Sequence, residues 1–129
     1  MNKTAISTSK APAAIGPYEQ AIKAGSFIFT SGQIPINPAT NELVGGEIQD
    51  ETRQVLKNIS AVLQAGGSSL ENTVKITVYL KDLSNFARMN EIYQSFFPQS
   101  KPARSCVEVS ELPKGVGVEM DAVAFIGGD

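Results

Sequence analysis

Histidine is absent from this chain of 129 residues, and cysteine occurs only once. Without histidine, neither a Ser–His nor a Cys–His catalytic pair can form. A zinc site would have to be built almost entirely from carboxylates, so we expect no metal. A single cysteine also excludes an intrachain disulfide. Any catalysis would therefore depend on Arg, Lys, Glu, Asp, Tyr, Ser, backbone groups or water.

Long apolar runs and basic runs are also missing. No stretch approaches the roughly 18 apolar residues of a membrane span, and residues 1–20 lack the pattern of a signal peptide. No glycine-rich nucleotide-binding motif occurs. The net charge is −2 and the pI about 5.1, with no cluster of Lys and Arg. We therefore expect a cytoplasmic protein that binds neither membranes nor nucleic acid.

Length and periodicity predict one domain over residues 1–129. Apolar residues recur with helical spacing in two segments, of which the first ends at Gly66-Gly67 and the second has Asp82 or Ser84 as a possible cap. Residues 37–46 are typical of a surface loop. The predicted elements are a hairpin around residues 23–26, a helix over 48–65, a strand over 73–80, a helix over 86–97, and strands over 104–109 and 118–125.

This order of elements predicts an α+β fold in which two helices cover one face of a mixed sheet. The last strand alternates, so that Glu119, Asp121, Val123 and Phe125 share one side. The face away from the helices is then partly apolar and partly charged. Because such a face often meets another subunit, we expect a homo-oligomer.

Arg104 opens the strand that also carries the only cysteine, and it has two interpretations. It could form an ordinary edge ion pair with Glu108 or Glu119, an interaction worth about 0–1 kcal/mol. Alternatively, its guanidinium group could bind a substrate carboxylate through two parallel hydrogen bonds. The sequence alone leaves both interpretations open.

Glu119 lies between two apolar residues, where it either pairs across an interface or holds a water molecule. If the last two strands formed a simple hairpin, Arg104 would face Val123, roughly 13 Å along the strand from Glu119. A shared site would then need a register shift or a neighbouring subunit. Cys106 is more typical of a small, inert apolar residue than of a nucleophile.

Four further positions have both a structural and a functional interpretation. Gly32, next to Ser31, indicates either a bulge or close approach by a ligand. Tyr18 is either a pocket wall or a surface side chain. Asn90 alone would be assigned to the solvated side of the second helix.

Four segments carry a resemblance to a known family: AAIGPYEQAI (13–22), FTSGQIP (29–35), VKITVYLKDLSNFARMNEIYQSFF (74–97) and PARSCVEVSELPKGVGVEMDAVA (102–124). They resemble the RidA/YjgF family of reactive-intermediate deaminases, in order and over nearly the whole chain. The resemblance implies a chorismate-mutase-like fold and a homotrimer whose sheets form a central barrel-like core, with sites in the clefts between subunits.

The resemblance also implies the activity of a 2-iminobutanoate/2-iminopropanoate deaminase. Members of this type hydrolyse enamines and imines, such as 2-aminoacrylate and 2-aminocrotonate, that pyridoxal-phosphate-dependent dehydratases release. The products are ammonia and a 2-keto acid, and no cofactor or metal is needed. The alternatives are a 2-keto-acid-binding or regulatory trimer without turnover and, against the acidic pI, an endoribonuclease or translation inhibitor.

Residue by residue, the family's carboxylate-binding arginine corresponds to Arg104 and its water-orienting glutamate to Glu119. The remaining substrate-binding positions of the family correspond to Tyr18, Ser31, Gly32, Asn90 and Cys106.

Overall fold

The computed structural model describes residues 2–127 and shows an α+β architecture, as the sequence predicts. Its elements, in chain order, are β1 (Lys3–Ile6), β2 (Ala21–Ala24), β3 (Phe27–Thr30), β4 (Ile36–Asn37), β5 (Glu42–Leu43), α1 (Ile48–Ala65), β6 (Thr73–Leu80), α2 (Phe86–Phe96), β7 (Ala103–Glu108) and β8 (Val118–Phe125).

Both predicted helices form close to their predicted bounds. In α1, the Glu47 side chain and the Asp50 side chain cap the first turn reciprocally, which satisfies backbone N–H groups that lack a helical partner. A short 3₁₀ turn precedes α2, and the Asp82 carboxylate accepts a hydrogen bond from the Ser84 backbone N–H there. Neither helix is long and apolar enough to cross a membrane.

Six strands form the main sheet in the order β1-β2-β3-β8-β6-β7. The last strand, β8, lies in the middle, where it pairs antiparallel with both β3 and β6. Strand β7 pairs with β6 in parallel and forms one edge. The hairpin considered for the last two strands is therefore wrong, because β6 separates β7 from β8.

The two helices pack on one face of this sheet and bury its apolar side chains. Inward-facing side chains of β6 and β8 alternate with partly exposed ones, as a sheet covered on one side requires. Burying each large aliphatic side chain contributes roughly 1.5–3 kcal/mol. The core includes Ile28, Val55, Leu56, Ile59, Val62, Leu63, Ile76, Val78, Leu80, Met89, Val118 and Met120.

The other face of the sheet, which we call the open face, carries both apolar and charged groups. Phe27 and Phe125 face each other across β3 and β8, and Phe29 remains 47% exposed. Glu119 and Asp121 lie on the same face of β8. The prediction of a mixed uncovered face is therefore confirmed for the isolated chain.

Three short strands are missing from the sequence-based prediction. Strand β1 pairs with β2 at the sheet edge, and β4, at the start of the predicted loop over residues 37–46, pairs with β5 inside it. Strands of two residues, such as β4 and β5, are too short for an alternation of apolar and polar residues to be recognised in the sequence.

Candidate functional site

Arg104 and Glu119 lie on opposite faces of the sheet. Across the three neighbouring strands, Arg104 is level with Ile76, and Ile76 is level with Ala122. Because Ile76 and Ala122 are buried on the helix side, Arg104 points to that side as well. Glu119 is three positions from Ala122 and points to the open face. One chain therefore cannot bring these two side chains together.

Helix α2 holds the Arg104 side chain on the helix face. The Arg104 Nη1 donates a 2.6 Å hydrogen bond to the Asn90 side-chain oxygen. The guanidinium carbon lies 4.6 Å from the ring centre of Tyr93 and 5.3 Å from that of Phe86. Cation–π contacts of this kind contribute roughly 0.5–2 kcal/mol. These contacts fix the guanidinium group before any ligand arrives.

Within the described part of the chain, Arg104 has no carboxylate in ion-pair contact. The two ion pairs found in residues 2–127 join Arg53 to Asp50 and Arg88 to Glu47. Within one chain, Arg104 therefore forms no ion pair with Glu108 or Glu119. Its guanidinium group borders a cleft of about 360 Å³, which Tyr93, Phe97 and Lys101 also line.

Cys106 follows Arg104 on the same face of β7 and is half-buried. Burial raises the pKa of the Cys106 thiol, and the positive charge of Arg104 only partly opposes this effect. The thiol is therefore protonated at neutral pH and is a poor nucleophile. We call Arg104, Asn90 and Cys106 the arginine cluster.

Glu119 lies against the backbone of the segment that follows β3. Gln33 and Met120 exchange two backbone hydrogen bonds of 2.7 and 3.1 Å, which place Gly32 beside Glu119. The Glu119 carboxyl group occupies the space that a side chain at Gly32 would fill. Packing against Glu119 therefore explains why position 32 carries no side chain.

Ser31 and Tyr18 lie beside Gly32, the residue that packs against Glu119. The Ser31 hydroxyl donates a 2.6 Å hydrogen bond to the Glu19 carbonyl, and the Ser31 N–H donates to the Gln20 carbonyl at 2.9 Å. Tyr18 and Gly32 line a common cleft of about 290 Å³. We call Glu119, Gly32, Ser31 and Tyr18 the glutamate cluster.

The Gln20 side chain fixes the segment that leads to Tyr18. Its Oε1 accepts a 2.7 Å hydrogen bond from the Thr8 N–H, and its Nε2 lies 3.1, 3.3 and 2.7 Å from the carbonyl oxygens of Thr8, Ala11 and Pro12. Gln20 is only 4% exposed. A single buried amide thus holds residues 8–12 against β2.

Burial raises the pKa of Glu119, and the nearby negative charge of Asp121 raises it further. The Tyr79 hydroxyl donates a 3.0 Å hydrogen bond to Asp121, and residue Tyr79 pairs with Glu119 in the register of β6 and β8. Burial also raises the pKa of Asp121, while this hydrogen bond opposes the shift. Glu119 is therefore poised to exchange protons closer to neutral pH than an exposed carboxyl group.

Within residues 2–127, the site residues suggested by the sequence fall into these two clusters rather than one. The aromatic side chains of Tyr93 and Phe86 flank Arg104, although helical periodicity predicts only a core role for them. The spacing of Asn90 and Tyr93, three residues apart on α2, is a signal that they share a helix face. Among the described residues, no three or more His, Cys, Asp or Glu side chains come together as a metal ion would require.

This chain is similar to known sequences and solved structures over nearly its whole length. Residues 8–126 match the family described as Endoribonuclease L-PSP. A RutC family protein of Pyrococcus horikoshii is 58% identical over 123 residues, covering 95% of this chain and 98% of that protein.

Two solved structures are similarly close in shape. The Rid-family protein YyfA of Yersinia pestis has a TM-score of 0.95 at 48% identity, covering 97% of this chain and 100% of that chain. E. coli TdcF with bound serine has a TM-score of 0.91 at 44% identity, covering 96% and 99% of the two chains.

Proposed function

This chain belongs to the RidA/YjgF family, and from that premise we propose that it hydrolyses small 2-imino acids and their enamine forms to a 2-keto acid and ammonia. The substrates would be 2-iminopropanoate and 2-iminobutanoate, which pyridoxal-phosphate-dependent dehydratases release as 2-aminoacrylate and 2-aminocrotonate. The observation that carries this proposal is the fixed Arg104 guanidinium group, which has no carboxylate partner within residues 2–127.

Arg104 binds the substrate carboxylate. The group is partly buried and is held at one nitrogen by Asn90, which leaves its other N–H groups for an anion. A guanidinium–carboxylate pair forms two parallel, charge-assisted hydrogen bonds, each worth about 1.5–3 kcal/mol. The serine bound to E. coli TdcF, a relative of this chain, also has a carboxylate beside a nitrogen-bearing carbon.

Glu119 activates the water molecule. Its carboxylate accepts a proton as the water oxygen attacks C2 of the imine, and the carboxyl group then returns a proton to the nitrogen. Glu119 then takes the proton of the new C2 hydroxyl group and delivers it to the nitrogen, so that the C2–N bond breaks, ammonia leaves and a carbonyl group remains at C2. Ser31 and the backbone at Gly32 and Cys106 orient the imine carbon and nitrogen. Because imines hydrolyse unaided, positioning supplies much of the acceleration.

The complete site lies between subunits of a homotrimer. Arg104 and Glu119 point to opposite faces of one sheet, so the glutamate cluster of one subunit must meet the arginine cluster of a neighbour. The exposed phenyl rings of Phe27, Phe29 and Phe125 give the open face an apolar surface to bury in such contacts. The sheets of the three subunits would then enclose a central core.

A dehydratase-coupled assay tests the activity, with 2-keto acid or ammonia release as the readout. Arg104→Ala is expected to lower kcat/KM about 100-fold, equivalent to about 3 kcal/mol of lost carboxylate binding. The matched control is Arg53→Ala, which removes a half-exposed arginine whose ion pair is with Asp50 on the same helix. An Arg104→Ala protein as active as the wild type would refute the proposed role of the guanidinium group.

Mixing two inactive variants tests where the site is. If Arg104→Ala and Glu119→Gln chains are unfolded and refolded together, random assembly gives about one quarter of sites an intact Arg104 and an intact Glu119 from different chains. About one quarter of wild-type activity should return. Recovery of none would show that a single chain supplies both groups, and the proposed arrangement would be wrong.

A binding or regulatory trimer is the second candidate, favoured by the serine that E. coli TdcF holds. It predicts that calorimetry detects 2-ketobutyrate binding, dependent on Arg104, by a protein that does not accelerate imine hydrolysis. The endoribonuclease named in the family description fits less well, since the net charge is −2 and the sequence has no basic cluster. RNA binding that survives moderate salt would favour it.

A further inference from the structure

The Glu119 carboxyl group lies where a side chain at position 32 would be. A Cβ atom added to Gly32 would be 2.9 Å from the Glu119 Cδ and 3.3 Å from its Cγ, and closer still to Oε2. Carbon atoms that are not bonded to each other meet at roughly 3.5–4.0 Å. A side chain at position 32 is therefore incompatible with the present position of the Glu119 carboxyl group.

The backbone around Gly32 is held on both sides. Before it, Ser31 is bonded to the Glu19 and Gln20 carbonyl oxygens. After it, Gln33 exchanges two hydrogen bonds with Met120. Moving this segment away from β8 would break several of these bonds, at roughly 1 kcal/mol each.

The Glu119 side chain, by contrast, has three rotatable bonds and ends in a partly exposed carboxyl group. Of the two groups in contact, the carboxyl group is the one that can move at low cost. We infer that Gly32 is a positioning residue for Glu119, because its missing side chain leaves the space that the carboxyl group occupies on the open face. As far as turnover is concerned, this inference rests on the proposed function.

Gly32→Ala is the direct test. The variant is expected to fold, and its melting temperature should stay within a few degrees of the wild type, because only a flexible side chain must give way. Displacement of the carboxyl group by about 1 Å should lower kcat by about 10- to 100-fold. Affinity for 2-ketobutyrate, which Arg104 provides, should change less than about threefold. A matched control is Gly45→Ala, since nothing lies within 4 Å of a Cβ at that glycine.

A second readout is independent of activity. Protein labelled with ¹³C at glutamate Cδ reports the titration of Glu119, and the Glu119→Gln variant identifies its signal. Burial contributes most to the raised pKa of Glu119. Because Gly32→Ala pushes the carboxyl group toward solvent, its titration midpoint should move to lower pH, whereas Gly45→Ala should leave it unchanged.

The two readouts separate this inference from the proposed function. An unchanged Glu119 midpoint in Gly32→Ala would overturn the positioning role, whether or not the wild type is active. Weaker 2-ketobutyrate binding together with an unchanged midpoint would instead show that the role of Gly32 lies in its backbone contact with the ligand alone. A shifted midpoint in a wild type that hydrolyses no imine would support the positioning role and refute the proposed activity.

Discussion

Replacing Gln20 by leucine should loosen the segment that carries Tyr18. The Gln20 amide bonds the Thr8 N–H and the carbonyl oxygens of Thr8, Ala11 and Pro12. Leucine has a similar size but neither donates nor accepts hydrogen bonds, so all four contacts disappear while the apolar packing is largely kept.

The magnitude follows from the surroundings of these contacts. The bonds to Thr8 and Pro12 are only partly buried, so water can replace part of what is lost. The bond to Ala11 is buried, which leaves that carbonyl oxygen without a partner at a cost of about 1–3 kcal/mol. The total loss should be about 2–4 kcal/mol, or roughly 6–20 °C in melting temperature for a chain of this length.

Thermal and urea unfolding at a fixed protomer concentration measure this loss, since association of subunits makes stability depend on concentration. Gln64→Leu is the matched control: Gln64 is exposed on α1 and bonds only Ser60, so a change below about 0.5 kcal/mol is expected. Hydrogen exchange of the Thr8 amide reports local opening of the segment. Unchanged melting together with unchanged Thr8 protection would refute the role assigned to Gln20.

Two further predictions concern stability. Gly66→Ala places a Cβ 2.6 Å from the Ile6 Cδ1 and 2.7 Å from the Ile28 Cδ1 in the core. Urea unfolding should therefore show that the free energy of unfolding falls by about 1–3 kcal/mol, whereas Gly45→Ala should change it very little. Equal stabilities of the two variants would contradict the packing around Gly66. Burial raises the pKa of Asp121, so the folded chain holds its proton more tightly than the unfolded chain, and the wild type should lose stability relative to Asp121→Asn as pH rises through the range above the ordinary value of 3.8. Denaturation curves from pH 4 to 8 measure this difference, and a constant difference would contradict the buried position of the carboxyl group.

Local patterns were sufficient for the long elements of the fold. Helix α1 and strand β6 have the bounds that helical periodicity and a run of β-branched residues predicted. The pairing of strands was not available from such patterns, because β7 and β8 look alike as isolated segments. The order strand, helix, strand from β6 through α2 to β7 did contain a signal, since a helical crossover joins parallel neighbours.

The sequence named the candidate site residues but not their arrangement in the fold. Arg104 and Glu119 could be singled out from charge in apolar surroundings and from the family resemblance. Their separation depends on which strand lies between them, and that is set by long-range pairing. The contribution of Tyr93 was hidden for a different reason, since an aromatic residue on an apolar helix face is usually explained by the core alone.

The central position of β8 has a consequence for synthesis of the protein. Strands β1, β2 and β3 form one half of the main sheet, and β6 and β7 form the other; β8 joins the two halves. On the ribosome, the sheet cannot close until Phe125 has left the exit tunnel, although both halves have emerged earlier. During that interval one edge of β3 and one edge of β6 have no neighbouring strand, which exposes both edges to pairing with other chains.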